Sequence, residues 1–177
     1  STYGQAFTEY INPHTMKIHT DFWQVKSTGR VSSGSKEMNA PNMQNLPQDN
    51  KFRNCFIASP GFSWISIDYS AQELRLMADG SKAVSYTHLP IQGTGADITK
   101  EALIGIRNLI LETNKMHKQE VSRLLCTVHD QIDVEVLDEI AQEFAEKMKQ
   151  IMIEAGNRYV QDVNMEVDVT ITKVWTK

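Results

Sequence analysis

Two β-prone runs, Val121 to Val128 and Ile132 to Val136, are separated only by His129, Asp130 and Gln131. A link this short permits antiparallel pairing alone, because a parallel crossover needs a dozen or more residues. The runs therefore predict a tight hairpin with His129 and Asp130 at its tip, where a carboxylate can face a cleft without being buried unpaired. A third run, Ser63 to Tyr69, alternates Ile65, Ile67 and Tyr69 against Ser66 and Asp68. That period of two marks a strand with Asp68 near its exit. Two strands, remote in the chain, each ending in an aspartate, can bring both carboxylates to one pair of hard cations, the core requirement of two-metal phosphoryl transfer.

The remaining pattern adds helices. The first sixty residues are polar and punctuated by Pro13, Gly29, Gly34, Pro41, Pro47 and Pro60, which predicts turns and short strands. Gln72 to Ala78 is helix-prone. Thr94-Gly-Ala-Asp97 has the form of a capping box, opening a helix that turns Ile98, Ala102, Leu103, Ile106 and Ile110 to the core. Asp138 is placed to cap a third helix, with Ile140, Phe144, Met148, Ile151 and Ala155 on one face and Gly156-Asn157 closing it. Met165, Val167, Val169 and Ile171 alternate with Glu166, Asp168, Thr170 and Thr172 as a half-buried strand. This order indicates an α+β fold, an antiparallel sheet with helices packed on one face.

Composition narrows the function classes. With 177 residues, 41% of them hydrophobic, the chain can bury a real core in one domain with room for an appendage. A formal net charge of -4, from 18 Lys+Arg against 22 Asp+Glu, is the wrong sign for holding nucleic acid by bulk electrostatics. Any such contact needs a local basic surface. Cys55 and Cys126 lack metal-ligand spacing and read as reduced, buried thiols of a cytoplasmic protein. No run approaches the ~20 apolar residues of a bilayer span, and Ser-Thr-Tyr-Gly-Gln is not a signal-peptide start, so no membrane partner is expected. His14, His19, His88 and His117 carry no ligand spacing and read as surface groups, while Gly93-Thr94-Gly95 has neither the glycine spacing nor the lysine of a phosphate loop.

Several strings, in order along the chain, resemble those of family A DNA polymerases. Thr28-Gly-Arg30-Val-Ser-Ser33 and Asn42-Met-Gln44-Asn45-Leu-Pro47 are similar to the segment that follows the thumb and touches the primer-template duplex. Phe52 to Pro60 resembles the lead into the first catalytic strand, and Asp68-Tyr-Ser-Ala-Gln-Glu73-Leu-Arg75 resembles the first metal motif. Pro90-Ile-Gln92-Gly-Thr94-Gly-Ala96-Asp97-Ile98 resembles the opening of a palm helix, and Val128-His129-Asp130 the second metal motif.

The resemblance implies a palm domain over residues 27–177, preceded by a remnant, 1–26, leading from the thumb. It implies two Mg²⁺ ions, or Mn²⁺ in their place, held by Asp68, Asp130 and the backbone carbonyl of Tyr69. The implied partners are primer-template DNA, touched by Arg30, Gln44, Asn45, Gln92 and His129, and deoxynucleoside triphosphates, screened against ribose by Glu73. No protein partner is inferred. The implied setting is the cytoplasm of a bacterial or phage-infected cell. Taken singly, these are ordinary strand-end acids, turn residues and surface charges. Glu73 equally suits a helix-surface acid paired with a neighbour, and His129 a group that caps the hairpin.

Two departures bear on activity. Residues 79–89 stand where a family member carries the whole fingers subdomain, and Gln131 stands where the family usually has glutamate. Without the fingers no cationic helix grips the triphosphate, so little or no templated synthesis is expected. The joining peptide Lys82-Ala-Val-Ser-Tyr-Thr-His-Leu89 matches no polymerase segment and resembles a translated sequencing adapter, that is, an assembly or cloning scar; a genuine short loop between two palm helices is the alternative. Non-catalytic binding of duplex DNA, and metal-dependent cleavage by the same aspartates, are the alternative functions.

Overall fold

The computed structural model describes residues 5–24, 26, 29–34, 40–47, 50–80 and 88–176. The joining peptide is therefore outside the described residues except at its end, and so is Thr28. Short elements open the chain: α1 (Gln5–Thr8), β1 (Phe22–Trp23), β2 (Ser32–Ser33) and α2 (Asn50–Arg53). β1 pairs antiparallel with β2, and the Thr20 hydroxyl bonds both the Ser33 hydroxyl at 2.8 Å and the Pro41 carbonyl at 2.6 Å. Then follow β3 (Phe62–Tyr69), α3 (Gln72–Gly80), α4 (His88–His117), β4 (Ser122–Val128), β5 (Gln131–Leu137), α5 (Ala141–Asn157) and β6 (Val167–Thr172).

The long strands form one antiparallel sheet in the order β4-β5-β3-β6. Strand alternation gives it two unlike faces. Ile65, Ile67 and Tyr69 of β3, with Ile132, Val134 and Val136 of β5, join Ile98, Ala102 and Ile106 of α4 and Phe144, Met148 and Met152 of α5 in the main core. Full burial of each such aliphatic side chain contributes about 1.5–3 kcal/mol. The opposite face is covered by the N-terminal segments and the C-terminus, where Trp175 stacks on Trp64 with ring centroids 5.5 Å apart. The α+β architecture with its helices on one face is thus the observed one.

Three local expectations need correction. Thr94 does not cap a helix: α4 begins at His88, six residues earlier, with Pro90 in its first turn, a position that tolerates proline. The glycine that looked like a helix start, Gly95, instead lets α3 approach, since a Cβ there would lie 2.7 Å from Gln72 Oε1. Asp138 sits in a 3-10 turn and turns away from α5; it accepts hydrogen bonds from Ser63 Oγ (2.6 Å) and from Lys173 Nζ, and these hold its carboxyl below the usual value. Gly156 and Asn157 are the last two residues of α5 and close it as expected; a Cβ on Gly156 would meet Met165 at 2.6 Å and Tyr69 at 3.3 Å. Cys126 is buried as expected, but Cys55 is exposed just past the end of α2, its thiol donating to the Lys51 carbonyl.

Candidate active site

The hairpin tip is two residues long: Val128 pairs with Gln131, leaving His129 and Asp130 in the turn and Gln131 in β5. His129 has φ of 59°, in a region that favours glycine at the first position of such a turn. The register then fixes the neighbourhood. Gln131 is the cross-strand partner of Asp68, and Asp68 is on its other side the partner of Asp168. One row therefore runs Val128, Gln131, Asp68, Asp168 across the strands, on the face away from the helices. Asp130 adjoins that row directly, so the two predicted metal acids lie at the same end of the sheet, one position out of line.

Asp68 is half-buried, as is Asp130, which borders a small pocket between the hairpin tip and α3 and α4. Arg30, Glu73, Lys100 and His129 share that pocket. Arg30 and Glu73 form an ion pair across it. The space is small, about 30 Å³. A far larger apolar cavity, lined by Phe7, Ile18, Phe56 and Trp64 among others, lies on the sheet face away from the helices and has none of the predicted site residues.

The other predicted residues fall around this end of the sheet. Arg30 is carried past α4 by Gly29, whose φ of +73° is open to glycine and whose position has Ala96, Gly93 and Lys100 within 4 Å of a notional Cβ. Gln44, on a 3-10 turn, is held on both sides: its Nε2 donates to the Thr127 carbonyl and its Oε1 accepts from the Ser33 N–H, both at 3.2 Å. Asn45 is exposed, and Gln92 is half-buried near the start of α4. Tyr69 ends β3; its hydroxyl donates to the Met152 carbonyl at 2.6 Å, and burial, with the charges of Glu101 and Asp130, pushes its pKa far up.

Three residues carry the geometry without having been singled out from sequence. Arg75, the last member of the Asp68 string, ties the turn after β3 to the approach to β6: Nε donates to the Ser70 carbonyl at 2.8 Å, Nη1 to the Asn164 carbonyl at 2.7 Å, and Nη2 pairs with Glu166. Asp168 stands opposite Asp68 and accepts from the Ser70 hydroxyl at 3.0 Å. Asp133, fully buried, receives Trp64 Nε1 at 2.9 Å, Ser66 Oγ at 2.5 Å, Gln131 Nε2 at 2.9 Å and Cys126 Sγ at 3.4 Å. Burial raises its pKa, and these four donors offset only part of that rise. Only the strand register reveals the last two, because each reads as one more polar residue in an alternating run.

Among the described residues no group of three or more His, Cys, Asp or Glu side chains is assembled around a common point. Asp68 and Asp130 together supply two carboxylates at this end of the sheet. That donor set does not fit a closed structural metal site.

The model for DNA polymerase family A matches residues 1–89 and again residues 82–177. The chain belongs to DNA polymerase family A. The two matches overlap at the joining peptide, over residues 82–89. DNA polymerase I of Chloroflexus aurantiacus is 41% identical over 83 residues, which are 44% of this chain and 8% of that protein. DNA polymerase I of Aquifex aeolicus is 39% identical over 95 residues, 54% of this chain and 15% of that protein. The chain thus spans a small part of its curated family relatives. In fold it is similar to the POL domain of Pol1 from M. smegmatis, solved in complex with DNA primer-template and dNTP: the TM-score is 0.76 at 19% identity, over 96% of this chain and 50% of that one. No helix among the described residues is long and apolar enough to cross a membrane.

Proposed function

We propose that this chain is the palm domain of a DNA-directed DNA polymerase, built for two-metal nucleotidyl transfer to a primer 3′-hydroxyl but impaired by the short junction at 79–89. The palm comprises residues 27–177, and residues 1–26 lead in from the thumb. The observation that carries the reading is the register: the partner of Asp68 is the residue next to Asp130, within a family whose function is DNA synthesis. Asp68, Asp130 and the Tyr69 carbonyl hold Mg²⁺, with Mn²⁺ as a substitute. When bound, the ions lower the pKa of the attacking hydroxyl and neutralise charge on the phosphate oxygens.

The chain's own residues bind and orient. Arg30, Gln44, Asn45 and Gln92 face the minor groove, whose acceptors vary little between base pairs and so permit binding without sequence preference. His129 contacts the primer end from the hairpin tip. Glu73 excludes a 2′-hydroxyl once it has parted from Arg30. Nucleoside triphosphate is held weakly because no fingers helix supplies cations. The setting is the cytoplasm of a bacterial or phage-infected cell.

The test is extension of a labelled primer-template by one nucleotide in Mg²⁺ or Mn²⁺. Slow extension that disappears in Asp68→Ala supports the enzyme. The closed Arg30–Glu73 pocket favours a second reading, a duplex-binding fragment without catalysis. No extension in either ion, alongside salt-sensitive duplex binding, would establish that alternative, and cleavage without nucleotide would point to a nuclease.

A further inference from the structure

Gln131 is a departure from the family glutamate, and its surroundings show what it faces. Side chains at i and i+2 of a strand share a face, so Gln131 stands directly above Asp133 on β5. Its Nε2 donates to both oxygens of Asp133, at 2.9 Å each. The donors around Asp133 account for that orientation. Asp133 Oδ1 already accepts from the Trp64 indole N–H, a group that can only donate, and from the Ser66 hydroxyl, so this carboxyl is met by donors from β3 as well. The amide therefore meets Asp133 with its NH₂, and its carbonyl Oε1 points elsewhere. Gln131 and Asp68 are direct cross-strand partners, and such pairs stand about 5 Å apart on one face.

We propose that Asp133 is a positioning residue. It grips the Gln131 amide by its nitrogen, and so presents the Gln131 carbonyl oxygen on the Asp68 side as a neutral oxygen donor to the divalent ions. This rests on the metal-binding reading above. Glutamate at 131 would set a second carboxylate against the buried Asp133, whereas glutamine satisfies that acid and still offers an oxygen upward. The pair is a self-consistent replacement for the family's acid.

The test uses the intact chain and Mn²⁺ alone, with bound ion read from the loss of the free-Mn²⁺ electron paramagnetic resonance signal. In Asp133→Asn the Trp64 N–H keeps the amide oxygen at the Oδ1 position, so the new NH₂ faces Gln131. The Gln131 amide must then turn over and direct its own NH₂ at the ion. Mn²⁺ affinity should fall tenfold or more, the usual effect of losing a group that orients a ligand. The double variant Gln131→Glu/Asp133→Asn should recover the affinity, because the amide introduced at position 133 can donate to one oxygen of the new carboxylate and leave the other for the ion. Gln131→Met, which keeps the length but removes the oxygen, should bind as weakly as Asp133→Asn and serves if that variant fails to fold.

Wild-type affinity in Gln131→Met or in folded Asp133→Asn, with binding still lost in Asp68→Asn, would overturn the proposal and leave the metal site standing. Unchanged Mn²⁺ binding in both Asp68→Asn and Asp130→Asn would instead remove the metal site itself, and this proposal with it.

Discussion

His129 is held at φ of 59° between two well-packed strands. For a residue with a Cβ that conformation costs roughly 1–2 kcal/mol, and strain of this kind persists where the surrounding structure imposes it. His129→Gly should therefore be more stable than His129→Ala by about 1 kcal/mol in urea unfolding, while losing whatever contact the imidazole makes at a primer end. Equal stability of the two variants would mean the turn relaxes without strain. Glu73 offers a second prediction. Its carboxylate pairs with Arg30, and both side chains are more than a third exposed. Glu73→Gln should free the guanidinium and raise the affinity for a short duplex several-fold at low salt, as read by fluorescence anisotropy. A fall in affinity would show that Glu73 orients Arg30 for DNA rather than competing with it. The sequence offered both interpretations of Glu73, and the contact across the pocket supports the paired one.

The helices illustrate how one residue type serves different ends. Gly156 was legible as part of a helix stop, and in the fold it also packs α5 against Met165 and Tyr69. Alanine there gains about 1 kcal/mol of helix propensity, but its Cβ would press on the Met165 Cγ and Cβ at 2.6 and 2.9 Å. Overpacking costs about 1–3 kcal/mol, so Gly156→Ala should destabilise the fold, with a lower melting temperature. A rise would show that β6 and α5 can part without cost. Periodicity placed β3, β5, β6 and the buried face of α4 well, because burial of alternate or every-third-to-fourth residues is a repeating demand. It misplaced the start of α4 and the cap of α5. Helix ends depend on single hydrogen bonds, and Asp138 found better partners in Ser63 and Lys173.

The chain as a whole is acidic, with a net charge of -4. The proposed duplex binding must therefore come from a few local cations such as Arg30 and Lys100 at the pocket, not from the overall field. If about two phosphates are neutralised, raising salt from 50 to 200 mM should weaken binding roughly tenfold. A salt-independent affinity would exclude the phosphate-tracking mode. The sheet and its helices close a core without the fingers. The carboxylate of Asp79, near the end of α3, accepts from the backbone N–H groups of Gln161, Asp162 and Val163 at 2.8, 2.6 and 3.2 Å. That clasp ties α3 to the loop before β6 just where the short junction begins.

Local chemistry was enough to establish the antiparallel hairpin, the alternating strands, the family and the identity of the two acids at strand ends. Each of these is written in neighbouring residues: a turn too short for any other connection, a period of two, a string of matched side chains. What needed the folded molecule was everything that depends on contacts between distant segments. The register set Gln131 opposite Asp68, the close helix packing explained Gly95 and Gly156, and the choice of partners sent Arg30 to Glu73 and Gln131 to Asp133. Such choices are competitions between residues brought together only on folding, and the winner is decided by distance and burial that a linear order does not contain.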